Sequence, residues 1–163
     1  MTAQMSLFEG IQQQSFERDL KNRKPNLRCP CCKRPANVWR MSIHSTLARM
    51  LINLYKKSVE LNGHPDGWVH IEAFRPGSHT SGRDFCIVKH WGLAEAKEAD
   101  PSEEKRSSGM WSLTYKGMRW LEGKINIDKY AHVFDDKVME FDGEQISIRH
   151  ALGKRFDYAE LWG

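Results

Sequence analysis

Trp91-Gly92-Leu93-Ala94-Glu95-Ala96 and Met110-Trp111-Ser112-Leu113-Thr114-Tyr115-Lys116-Gly117 frame a polar loop, and their reading decides the fold. Gly92 can take the left-handed backbone that ends a helix, so the segment before it is expected to be helical and residues 93–96 to leave it as a strand. Residues 97–109 are polar and without apolar periodicity, which predicts a loop. Residues 110–113 read as a returning strand. Thr114 can cap a helix that carries Met118, Trp120 and Leu121 as far as Gly123.

Working towards the N-terminus, Thr80 or Ser81 can cap a helix running to about Trp91. At about 100° per residue, Phe85 and Val88 share one side of it, while Thr80, Arg83, Ile87 and His90 share the other. Before it, Trp68-Val69-His70-Ile71 suits a short strand, and Glu72 to Arg75 a single helical turn broken by Pro76-Gly77. Ile43, Leu47, Met50, Leu51, Leu54 and Tyr55 recur at the spacing of one helix face, which predicts a long helix ended by Asn62-Gly63. The expectation is an α+β chain.

This order, with a helix ending in Trp-Gly-Leu, a charged loop, a strand ending in Leu-Thr and a Lys-Gly-containing helix, resembles a winged helix-turn-helix. The bracket from Trp91-Gly92-Leu93 to Leu113-Thr114-Tyr115-Lys116-Gly117 is similar to the wing of bacterial MarR-like and PadR-like regulators. The chain as a whole resembles small bacteriophage and prophage proteins that join a Cys-Pro-x-Cys cluster and a winged helix to a C-terminal tail. The matching tail is Phe141-Asp142-Gly143-Glu144-Gln145-Ile146-Ser147-Ile148 and Ala151-Leu152-Gly153-Lys154-Arg155-Phe156-Asp157-Tyr158. The resemblance implies a phage origin. With it, the chain is expected in three parts: a flexible basic arm (1–42), a winged-helix domain (43–123) and a small hairpin-and-helix appendage (124–163).

The resemblance makes 81–91 the recognition helix, entering the major groove of double-stranded DNA. Thr80, Arg83 and His90 are then its contacts, and Lys105 and Arg106 of the wing are placed to reach phosphate. The same wing carries Glu95, Glu98, Asp100, Glu103 and Glu104, which repel it. A solvated face is the competing reading of these charges.

Charge is unevenly spread. Residues 1–42 hold eight Lys/Arg against three Asp/Glu, residues 43–123 eleven against ten, and residues 124–163 six against eight. The positive field is therefore expected in the arm, where Arg23, Lys24, Arg28, Lys33 and Arg34 are the candidate phosphate contacts, because such clusters gain affinity by releasing counterions. A solvated, partly disordered arm is the alternative. One short helix is expected near residues 11–20. A hydrophobic content of 40% argues for a folded chain, and no apolar run approaches the length of a membrane span, so the expected setting is cytoplasmic, in the host if phage-encoded.

Cys29 and Cys32 have the C-x-x-C spacing of a zinc knuckle, in which two thiolates on a tight turn reach one tetrahedral ion. No second C-x-x-C follows; Cys31, His44, Cys86 and His90 are the candidates to complete the set, against reduced thiols with no metal. His70-Ile71-Glu72 mimics a deaminase motif, but the cysteines precede it instead of following, so it is read as structural. Phosphate-loop, nucleophile-elbow and zincin motifs are absent. The chain is read as a non-enzyme; a metal-dependent nuclease would need a carboxylate cluster that cannot be named.

In the appendage, residues 130–134 and 137–141 suggest a hairpin about Asp135-Asp136, with a further turn at Asp142-Gly143 and a last helix capped by Asp157. Its aromatics either pack on the domain or face a partner or second copy. Two functions stay open: a DNA-binding regulator, or a winged helix that binds, and so inhibits or redirects, a host protein.

Overall fold

A computed structural model describes residues 2–77, 82–105 and 107–163, with backbone alone for residues 2–9, 82 and 83. The chain is α+β, with helices and two three-stranded antiparallel sheets, ordered β1-β5-β6 and β2-β4-β3. It divides into two compact units, Met1–Met41 with Ala131–Phe141, and Ser42–Tyr130 with Asp142–Gly163.

The second unit is built on α2 (Ser45–Asn62), which buries Leu47, Ala48, Met50, Leu51, Ile52, Leu54 and Ser58. It starts later than its apolar spacing predicts, because β1 (Trp39–Ser42) runs up to it; Ile43 is buried at the junction and donates its N–H to the Lys129 carbonyl at 3.3 Å. Gly63 ends the helix in the left-handed region at φ 79°. Buried Ser58 then pins the following loop, donating to the His64 carbonyl at 2.8 Å and accepting the Gly67 N–H at 2.9 Å.

Next comes β2 (Val69–His70), followed by a 3-10 turn at Ile71–Ala73. His70 Nδ1 accepts the Glu72 N–H at 3.3 Å, which accounts for the His-x-Glu pattern locally. The helix expected over 81–91 is two pieces, α3 (Gly82–Phe85) and a 3-10 helix over Cys86–Trp91. Three residues per turn line up Phe85, Val88 and Trp91, and all three are buried. Phe85 meets the rings of Phe74 and Trp111 edge-on at 5.1 and 4.9 Å, and Trp91 Nε1 donates to the Asp128 carbonyl at 2.7 Å.

After Gly92, β3 (Ala94–Ala96) and β4 (Met110–Leu113) pair antiparallel with Ala94 opposite Leu113 and Ala96 opposite Trp111. β4 pairs on its other edge with β2, Val69 opposite Trp111. Thr114 accepts the Gly117 N–H at 3.0 Å and caps α4 (Tyr115–Leu121), which buries Trp120 and Leu121. Further on, Ser147 caps α5 (Ile148–Leu152) and Asp157 caps α6 (Tyr158–Trp162). The terminal aromatics pack on the same unit: Trp162 lies edge-on to Tyr55 at 4.8 Å, and the Tyr158 hydroxyl donates to the Leu121 carbonyl at 2.7 Å.

In the first unit, α1 spans Thr2–Lys21, longer than the short helix expected near residues 11–20. Strands β5 (Ile127–Phe134) and β6 (Lys137–Ile146) form the expected hairpin, turned by Asp135 and Asp136 at φ 49° and 61°, the two positive values of a type I′ turn. No turn breaks β6 at Asp142-Gly143; the strand runs through to Ile146 with Gly143 at φ 86° inside it. The tip of the hairpin belongs to the first unit, where Phe134 meets Phe16 at 6.1 Å and Leu20, Ala36, Ala131, His132 and Val133 are buried.

Candidate nucleic-acid interface and cysteine knuckle

Thr80 and Arg106 lie outside the described residues, and Arg83 is described by its backbone, in the first turn of α3. His90 is half-buried on the 3-10 segment beside exposed Lys89. In the loop between β3 and β4, Lys105 is exposed and stands 3.7 Å from the Glu103 carboxylate. Asp100 accepts the Ser102 hydroxyl at 2.7 Å and its N–H at 2.9 Å, bonds that favour the ionised form and hold this carboxyl below its usual range.

Within the first unit, three of the five basic residues singled out in the sequence have protein partners. Arg23 donates to Glu140 Oε1 at 2.7 Å and to Nε2 of buried His132 at 3.0 Å, which makes that ring nitrogen an acceptor. Lys24 pairs with Asp19 at 3.2 Å, and Arg28 donates to the Lys33 carbonyl at 3.0 Å. Lys33 and Arg34 are exposed.

The cysteine cluster is a formed turn. The Cys29 N–H donates to the Arg34 carbonyl and the Lys33 N–H to the Cys29 carbonyl, each at 2.9 Å, with Lys33 at φ 59° and a bridge between Arg28 and Pro35. The Cys29 thiol accepts the N–H groups of Cys32 and Cys31, with smaller help from the Cys32 thiol and the Lys33 charge, and its pKa is lowered accordingly. Cys29 and Cys32 line an open recess of about 440 Å³ with Trp39, Phe134 and Asp135. Among the described residues, no group of three or more His, Cys, Asp and Glu is gathered to hold a metal ion; Cys31 and Cys32 are exposed, while Cys86, His44 and His90 belong to the second unit.

The structure also gathers cations that the sequence reading passed over. Arg49 of α2 and Arg155 both lie over the Phe156 ring, at 5.0 and 5.2 Å from its centroid, and Arg149 lies over Tyr158 at 4.3 Å. Arg155 donates to Thr46 Oγ1 at 3.4 Å, in the first turn of α2, and the Arg49 Nε is buried with no hydrogen-bond partner. His44, the residue before α2, has its pKa lowered by burial and by the Arg155 charge, against an opposing effect of Asp84. The acidic count of residues 124–163 hid this cluster, because Asp135, Asp136 and Glu140 stand in the other unit. The spacing Lys154-Arg155-Phe156 after Arg149 was the available signal.

Comparison of the chain with protein-family models, with curated proteins and with solved structures finds no match to any of them. No helix among the described residues is long and apolar enough to cross a membrane.

Proposed function

We propose that residues 43–123 form a winged helix and that the protein binds double-stranded DNA as a phage or bacterial regulator. One observation carries this reading: a helical segment, Gly82–Trp91, feeds through Gly92 into the β3–β4 hairpin, whose second strand also pairs with β2. Such an arrangement displays a helix face and a loop from consecutive chain, with α2 and α4 packing beneath. In this reading Arg83 and His90 reach base edges or phosphate, and Lys105 reaches phosphate. Fluorescence anisotropy with a labelled duplex tests it: affinity should fall steeply with salt and should drop after Arg83→Ala. Absence of binding at low salt sinks the proposal.

The acidic wing favours a second reading, a winged helix that binds a host protein. Asp100 is held ionised by Ser102, and Lys105 already faces Glu103. A pull-down from bacterial lysate with nuclease treatment separates the readings, since a partner that survives nuclease is not bridged by DNA.

The cysteine turn supports a zinc proposal for half of a tetrahedral set. Two thiols, on a turn whose N–H groups already stabilise one of them as thiolate, are the donors that a thiophilic cation takes. The other two ligands would come from outside this turn. Metal analysis of the purified protein, before and after Cys29→Ser with Cys32→Ser, should read zinc in the first and none in the second.

A further inference from the structure

We propose that Arg49, Arg149, Lys154 and Arg155 form a phosphate-binding patch that takes the backbone of duplex DNA. The inference rests on the DNA-binding reading above and names which residues supply its phosphate affinity.

Two guanidiniums share the Phe156 ring, and a third is ordered on Tyr158. Bringing like charges onto one ring raises their electrostatic energy, and among the described residues no carboxylate forms an ion pair with Arg49, Arg149, Lys154 or Arg155. An oxyanion removes that repulsion. Stacking also restrains each guanidinium, so less side-chain entropy is lost when a phosphate arrives.

The position adds to the charge. Arg155 bonds to Thr46 in the first turn of α2, an 18-residue helix whose N-cap, His44, contributes no side-chain hydrogen bond and whose first turn holds no acidic residue. The partial positive charge of that helix end therefore adds to the guanidiniums instead of being neutralised. Arg49 stands on the same helix, with its guanidinium 5.0 Å from the Phe156 centroid. Two acids oppose this charge: Asp84, which acts on His44, and Asp157, which neighbours Phe156 in the chain and accepts the Glu160 N–H at 2.9 Å. By contrast, Arg23, Lys24 and Arg28 in the N-terminal block are already bonded to Glu140, Asp19 and the Lys33 carbonyl.

The test uses the full chain and replaces the exposed pair Lys154 and Arg155, so that folding is kept. Lys154→Gln with Arg155→Gln is compared with a charge-matched control, Lys124→Gln with Lys129→Gln, whose side chains face Glu122 at 2.6 Å and Glu144 at 3.4 Å. Thermal melting by circular dichroism should stay close to wild type for both. For a labelled duplex near 0.1 M salt, the first variant should lose about tenfold in affinity per lost phosphate contact, and its salt slope should shrink by about one for each. The control should change less than twofold. Equal losses in the two variants, or none in the first, overturn the patch while leaving DNA binding intact. A wild-type protein that binds no duplex overturns both.

Discussion

Gly117 packs directly against Leu93: a Cβ built on Gly117 would overlap the Leu93 carbonyl oxygen, which itself accepts the Thr114 N–H at 3.1 Å. The start of α4 is therefore held against the start of β3 at a distance that only glycine permits, and the Leu-Thr-x-Lys-Gly pattern has a physical meaning. Gly117→Ala improves helix propensity by about 1 kcal/mol. It should nevertheless destabilise the protein by about 1–3 kcal/mol, because backbone and not a flexible side chain has to move. Urea denaturation checks this; a variant as stable as wild type contradicts it.

Trp120 is wholly buried, and its Nε1 donates to the Ile146 carbonyl at 3.1 Å, tying α4 to the end of β6. Trp120→Phe keeps most of the packing and leaves that carbonyl without its donor. A loss of about 1–3 kcal/mol is expected from the unmet bond, with more for Trp120→Ala, about 3–5 kcal/mol. The ordering of the two variants in denaturant midpoints is the diagnostic result.

Cys29 should ionise more readily than an ordinary thiol. The N–H groups of Cys32 and Cys31 stabilise its thiolate first, then the Cys32 thiol and the Lys33 charge. Iodoacetamide labelling of chelator-treated protein, read by mass spectrometry against pH, should show a midpoint for Cys29 below the ordinary thiol value of about 8.5. A Cys29 midpoint at or above that value would count against the turn.

His44 titrates low because burial disfavours its charged form, and Arg155 works in the same direction. Its folded pKa lies below the unfolded value of about 6.5, so on acidification the unfolded chain takes the proton first. Stability is unaffected well above that value and falls as pH drops through it towards the folded pKa. His44→Gln should flatten this part of the stability profile. Arg155→Gln should raise the His44 midpoint seen by NMR; an unmoved midpoint places Arg155 too far away to matter.

Periodicity and capping residues were enough for some of the local elements. The α2 stripe, Gly63 and Gly92 at helix ends, Thr114 and Asp157 as caps and Asp135-Asp136 as a hairpin turn all act through bonds within a few residues, so their chemistry is legible in order. The α+β class follows from them. Contacts between distant residues were not legible. The 3-10 form of Cys86–Trp91 arises because Phe85, Val88 and Trp91 must all face one core, and β1 displaces the start of α2. Charge illustrates the same limit: a count along the chain put the positive field in residues 1–42, where folding pairs Arg23 with Glu140 across 117 positions. Folding also brings Arg49 and Arg155, distant in sequence, onto one phenyl ring. Short-range hydrogen bonds are written in neighbouring letters, whereas electrostatic potential depends on distances through space that only the tertiary structure sets.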